Sequence, residues 1–157
     1  MKKLRKYING VLKTLSFITF FCMILLVSWQ VITRYFIKNP SSWTEELVSF
    51  LFAWMTLLGA SLVVGERKHM NIPIMIDKLS KNKKVFFYII SELVIILVSV
   101  LILIIGGFSI TKLAFSQITS SLNYPLGVFY IVVPICGMLN VFYCILNIID
   151  IYKEREV

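Results

Sequence analysis

The sequence predicts an all-α membrane protein: four transmembrane helices, both termini cytoplasmic, and short amphipathic helices at the membrane interface. Three observations carry that expectation. Of 157 residues, 59% are hydrophobic and only 15% charged, a balance too apolar for a soluble domain of this length. Four stretches, 14–33, 43–64, 85–105 and 124–149, each reach the roughly 20 mainly apolar residues that cross a bilayer. The Lys and Arg residues are distributed unevenly between the connecting segments: thirteen lie in the N-terminal tail, the segment between spans two and three, and the C-terminal tail, against three (Arg34, Lys38, Lys112) on the other side. That bias orients the first group towards the cytoplasm. The whole of 1–157 reads as one domain.

Each element has its own signature. The opening MKKLRKYINGVLK sets Leu4, Ile8, Val11, Leu12 and Leu15 at helical spacing, with lysines and Arg5 on the other side. Such a pattern fits a basic amphipathic helix in the headgroup layer, or a plain positive tail leading into span one. A cleaved signal peptide is disfavoured, because the apolar run is longer than an h-region and no small-x-small site follows it. Trp29, Tyr35, Trp43 and Tyr124 fall near the outer interface and Tyr7, Tyr88 and Tyr152 near the inner one, as interfacial aromatics do.

Span two opens with two adjacent acids in SSWTEELVSFLFAW. Ser42 stands three residues before Glu45, the spacing of a capping box, at the positive end of the helix dipole. Glu45 is therefore expected to cap the helix together with Ser42. Glu46 points about 100° away and needs another partner, for which Arg34, Lys38 and a neighbouring protein are the options. Ser61 and Gly65 form a small-xxx-small pair that permits close helix approach.

Span three holds a single charge, Glu92, about two turns from its cytoplasmic end. An ionisable group at that depth is a functional hypothesis by default. It marks a proton or cation path, reaches back to Lys84 or the headgroups, or hydrogen-bonds to Asn140 or Asn147. The segment GGFSITKLAFSQITSSLN then either extends span three or forms an interfacial helix. Span four sets Asn140, Cys144 and Asn147 on one face, with Ser28 and Gln30 of span one as expected partners. In HMNIPIMIDKLSKNKK, Pro73 is suited to a first helical position, with Met75, Ile76 and Leu79 following on one side.

Several function classes are excluded by what the residues do not assemble. The three cysteines, Cys22, Cys136 and Cys144, sit inside apolar runs without metal-ligand spacing and read as packing residues. A lone histidine, His69, cannot build a bis-histidine haem site. There is no phosphate loop and no nucleophile–base–acid set, so no catalytic, substrate-binding or metal residue and no cofactor is assigned, and an enzyme is not expected. The net charge of +8 is spread as topology signals are, which implies membrane lipid rather than nucleic acid as a partner. The chain also lacks the internal repeat typical of a stand-alone secondary transporter. A small homo-oligomeric proton-coupled exporter acting through Glu92 is the alternative.

Four motifs in order, WTEEL (43–47), FAWMTLLGAS (52–61), HMNI (69–72) and YPLGVFYIVVPICGM (124–138), resemble the small membrane subunit of tripartite ATP-independent periplasmic (TRAP) transporters, the DctQ-like family. In the last, Pro125, Tyr130, Pro134 and Gly137 carry the likeness, which covers essentially the whole chain. One departure stands out: where many relatives have a basic residue shortly after the paired glutamates, this chain has Ser49. The resemblance implies a bacterial cytoplasmic (inner) membrane protein. Its partners would be a large DctM-like membrane subunit holding substrate and sodium sites, and a periplasmic DctP-like binding protein that captures an organic anion such as a dicarboxylate or sialic acid. It further implies that Trp43, Glu45, Glu46, Trp54, Gly59, His69, Pro134 and Gly137, all within the matching motifs, are the candidate subunit contacts, with Glu92, Asn140 and Asn147 as the intramembrane polar residues.

Overall fold

The structure is a computed structural model that describes residues 2–66 and 81–155. His69 and most of the 69–84 segment lie outside the described residues. Helix α1 spans Lys2–Ile32 and passes into a π-helical turn, Thr33–Ile37. Helix α2 spans Ser42–Gly65. Helix α3 (Lys81–Val98) continues through a π-helical stretch, Ser99–Gly106, into α4 (Gly107–Ala114). After an ordered loop come a single turn, α5 (Gly127–Tyr130), and the long α6 (Val132–Arg155). Four of the resulting rods are long and apolar enough to cross a membrane.

At two boundaries the structure chooses between the alternatives that the sequence leaves open. The basic N-terminal stretch is not a separate interfacial helix: α1 runs on from Lys2 without a break, since no proline interrupts it. On it, Ile8 and Leu12 turn inward while Leu4, Tyr7, Val11 and Leu15 stay exposed. Likewise the third rod extends to Ala114 rather than ending near residue 105. Gly106 and Gly107 do not interrupt it, both keeping right-handed helical backbone. Pro134 does interrupt its rod. Lacking an N–H, it cannot bond to the Tyr130 carbonyl, and the helix breaks at Ile131 between α5 and α6.

Helix α6 is the axis of the bundle. Cys136, Asn140, Tyr143, Cys144, Asn147 and Ile151 are all buried and recur at the helical period along one face. The other rods press on that face where small residues allow it. A Cβ at Gly65 of α2 would come within 2.7 Å of the Tyr143 ring, one at Gly137 within 2.8 Å of Leu103, and one at Gly107 within 3.0 Å of Val133. Ser61, fully buried, lies one turn before Gly65, so the expected small pair is the α2–α6 contact. Helix α1 packs along α2 and reaches α6 through Arg5 and Asn9. Outside this seam large apolar side chains are exposed in every rod, as a lipid or protein environment requires.

Candidate subunit-contact site

Both chain termini lie at one end of the bundle, where Arg5 of α1 pairs with Asp150 of α6 at 3.3 Å. The opposite end carries the paired glutamates. There α1 stops at Lys38, whose left-handed backbone (φ 55°) turns the chain, and Pro40 follows. Ser41, in extended conformation, is the N-cap of α2, but its side chain makes no capping bond. The capping box expected of Ser42 and Glu45 is therefore absent. Ser42 is already inside the helix, and the local side-chain bond is made by buried Thr44, whose hydroxyl donates to the Ser41 carbonyl at 2.7 Å.

The two acids part company. Glu45 stays exposed, 4.0 Å from the Arg34 guanidinium, a surface pair worth about 0–1 kcal/mol. Ser49 donates to the Glu45 main-chain carbonyl and so does not stand in for a basic partner of either carboxylate. Glu46 turns towards the loop between α4 and α5. Its Oε1 accepts the Ser120 N–H at 3.2 Å, and its Oε2 accepts those of Ser121 (2.9 Å) and Leu122 (3.2 Å). Three successive amides converging on one carboxylate form an anion nest, with charge-assisted bonds. The partner of Glu46 is thus neither Arg34 nor Lys38 but main chain some 75 residues away.

The loop that Glu46 holds is itself ordered. Thr119 N–H donates to the Tyr124 carbonyl, Tyr124 N–H to the Thr119 hydroxyl, and Leu126 N–H to the Gln117 carbonyl. Asn123 takes the left-handed conformation (φ 54°) that asparagine tolerates best among non-glycine residues. Exposed on and around this loop are Ile118, Tyr124, Trp43, Tyr35 and Phe36.

Replacing Glu46 with glutamine puts an NH2 group where one of these amides needs an acceptor. Hydrogen exchange at Ser120, Ser121 and Leu122 is expected to quicken by about ten-fold or more, while Glu45→Gln leaves it within about two-fold. Equal effects of the two variants would refute the clamp.

Other motif residues are engaged inside the chain. The Trp54 indole N–H donates to the Phe129 carbonyl at 2.8 Å, beside a stacked Phe50–Phe129 pair with ring centroids 4.0 Å apart. Pro134 is buried, and Gly137 sits against Leu103 and Ile104. Gly59, in contrast, faces open space, with nothing within 4 Å of an added Cβ, and Trp43 is exposed.

At the terminal end the intramembrane polar groups converge. Glu92 and Asn147 are both fully buried. Asn147 donates from Nδ2 to Glu92 Oε1 (2.9 Å) and to the Val64 carbonyl (3.2 Å), and its Oδ1 accepts from Arg5 Nη2 (2.7 Å). One amide thereby joins all four rods. Tyr143 donates to Asn9, and Lys13 pairs with Glu66, beside it. Of the sequence options for Glu92, this selects Asn147. Asn140 is buried too, but its Oδ1 has no partner among the described residues. Ser28 and Gln30 are not the asparagine partners, because they lie towards the other end of α1. Arg5 is not on the side opposite Ile8 and Leu12, where the sequence pattern sets it with the lysines: it faces α6 and bonds to Asn147 and Asp150. Positions 5, 8 and 12 share one helical face.

The matching family model is that of tripartite ATP-independent periplasmic transporters, DctQ component, over residues 23–154. The chain belongs to the DctQ family. As a DctQ component it is a multi-pass inner-membrane protein of the TRAP small permease type. It is similar to the sialic acid TRAP transporter small permease protein SiaQ of Vibrio cholerae, 26% identical over 98% of this chain and 88% of the relative. The C4-dicarboxylate TRAP transporter small permease protein DctQ of the same species is 32% identical over 52% of this chain and 35% of its own length. A further match, 27% identical, lies within the sialic acid TRAP transporter permease protein SiaT of Haemophilus influenzae, where 52% of this chain aligns with 13% of that longer protein.

Proposed function

We propose that this DctQ component is the non-enzymatic scaffold of a TRAP-type importer driven by an ion gradient and taking up organic anions, carboxylates such as dicarboxylates or sialic acid. It supports a large DctM-like membrane subunit and, through its Glu46-held loop, shapes the outer surface on which a DctP-like binding protein lands. In this reading both termini are cytoplasmic and the paired glutamates face outward, as the distribution of basic residues favours. The observation that carries the reading is the use made of Glu92, a buried acid tied through Asn147 to Arg5 and the α2 main chain, that is, to the frame of the bundle. The alignment of this chain with a short part of the longer SiaT permease supports a large partner against the exposed apolar faces. Trp43 and Gly59, both open in the chain alone, are the contact residues we favour among the motif positions. Trp54, Pro134 and Gly137 hold those positions in place from within.

The test is affinity purification of the tagged chain from its native membrane in mild detergent, with partners identified by mass spectrometry. Stoichiometric recovery of a large polytopic protein is expected. A stable self-oligomer with no such partner overturns the proposal in favour of the exporter. Glu92→Gln separates the two readings again: glutamine still offers Asn147 an acceptor, so uptake by the complex is expected to stay within about two-fold. The exporter instead requires abolished transport.

A further inference from the structure

The basic N-terminal half of α1 has two sides. On the side facing the bundle, Arg5 pairs with Asp150 and Lys13 with Glu66. On the opposite side, Lys3 and Lys6 have no acidic partner among the described residues. Between them and the apolar edge, this one helix face carries a shallow, widely open groove of about 670 Å³, lined by Lys3, Lys6, Tyr7, Gly10, Val11, Thr14 and Leu15. At 100° per residue, Lys3, Gly10 and Thr14 point almost directly away from buried Leu12. Gly10 forms the floor, with nothing within 4 Å of an added Cβ. Tyr7 is 72% exposed, and Val11 and Leu15 are 43% and 44% exposed.

The groove therefore has a doubly cationic mouth, a phenol hydroxyl beside it, and an apolar trough leading towards the membrane-spanning part of α1. That order of chemistry, anion first and hydrocarbon below, is that of an anionic phospholipid. We propose that this face of α1 binds one anionic phospholipid, its headgroup phosphate held by Lys3 and Lys6 with the Tyr7 hydroxyl, and one acyl chain laid over Gly10 along Val11 and Leu15. Charge complementarity selects this occupant. Lysine is a compact, flexible point donor suited to phosphate, basic residues at headgroup depth attract anionic lipid, and tyrosine bridges apolar and polar layers. A zwitterionic headgroup would bring its own ammonium or choline group to the two lysines. Inorganic phosphate would leave the trough uncovered. A helix of a partner subunit would have to supply acids for both lysines.

The full-length chain, delipidated in mild detergent, is titrated in native mass spectrometry with phosphatidylglycerol, with phosphatidylcholine of the same acyl chains, and with inorganic phosphate. The first phosphatidylglycerol is expected to bind about ten-fold or more tightly than phosphatidylcholine. The double substitution Lys3→Gln with Lys6→Gln is expected to shrink that ratio to within about two-fold, while Lys112→Gln, an exposed cation at the other end of the bundle, leaves it unchanged. Gly10→Leu fills the trough without altering charge and is expected to weaken phosphatidylglycerol several-fold.

Four results would overturn the proposal. The first is a preference that survives the double substitution, and the second is an equal loss with Lys112→Gln, which marks diffuse charge. The third is lysine-dependent binding of phosphate alone, combined with indifference of phosphatidylglycerol to Gly10→Leu, which marks a free-phosphate site. The fourth is protection of Lys3 and Lys6 from amine labelling in the delipidated native complex but not in the isolated chain, which marks a protein partner.

Discussion

Asn147→Leu is expected to destabilise the bundle by about 2–4 kcal/mol, the range for stranding buried polar partners of a hydrogen-bonded network. Leucine keeps the γ-branched shape of asparagine but is bulkier, so some overpacking accompanies the loss of the bonds. The loss falls on three groups from three rods: Glu92 Oε1, the Val64 carbonyl and the Arg5 guanidinium. Arg5 keeps Asp150, which limits the damage at that corner. Glu92 keeps only the weak Cys144 thiol beside it, since its Oε2 is already without a hydrogen bond among the described residues. Interhelical hydrogen bonds in membrane proteins average about 0.6 kcal/mol each, so the larger figure rests on the buried polar groups left unpaired. Asn140→Leu is the control. Asn140 lies on the same face and is similarly buried, but its Oδ1 has no partner among the described residues, so its removal is expected to change stability by less than about 1 kcal/mol. Denaturation of both variants in detergent micelles measures the contrast. Equal stabilities would show that the network does not hold the bundle.

Gly65→Ala tests the seam between α2 and α6 in the same assay. The added Cβ would lie 2.7–3.0 Å from three carbons of the Tyr143 ring. That ring is anchored by its hydroxyl to Asn9 and cannot rotate away without losing the bond. Overpacking of this kind costs about 1–3 kcal/mol, with roughly 1 kcal/mol more if the tyrosine bond breaks. Combining Gly65→Ala with Tyr143→Leu makes room for the methyl group, so the two changes should fall short of additivity by about 1 kcal/mol or more. Gly59→Ala is the opposite case. With nothing near the new Cβ, it is expected to be neutral or to stabilise the isolated chain by up to about 1 kcal/mol, the penalty glycine carries in a helix interior. If Gly59 is a close-approach point for the large subunit, the same substitution lowers recovery of that subunit while leaving the isolated chain intact. Additive effects at Gly65 and Tyr143 would place the tight contact elsewhere.

What the sequence by itself determined is everything written in local composition and period. The four spans, the placement of both termini on one side, the packing cysteines and the small pair at Ser61 and Gly65 all follow from apolar run length, charge counts and helical spacing, which a single segment displays on its own. Even the inward face of α6 was legible, because Asn140, Cys144 and Asn147 recur at the helical period. Tertiary structure alone decided the pairings. Glu46 and Glu45 are neighbours of identical chemistry, yet one meets Arg34 across a short turn and the other meets the amides of Ser120 to Leu122. Asn147 is chosen over Asn140 as the partner of Glu92 because the two share one face of α6 but lie about two turns apart, and only Asn147 is level with Glu92 and Arg5. Trp54 finds the Phe129 carbonyl because α2 and the α5 turn meet at that level, where Phe50 also stacks on Phe129. Each of these depends on the rotation and depth of one helix against another. In a membrane bundle lipid-facing and helix-facing apolar surfaces carry the same residues, so those two quantities leave little trace in a hydrophobic pattern. Close-packed small residues and a few buried hydrogen bonds set them instead.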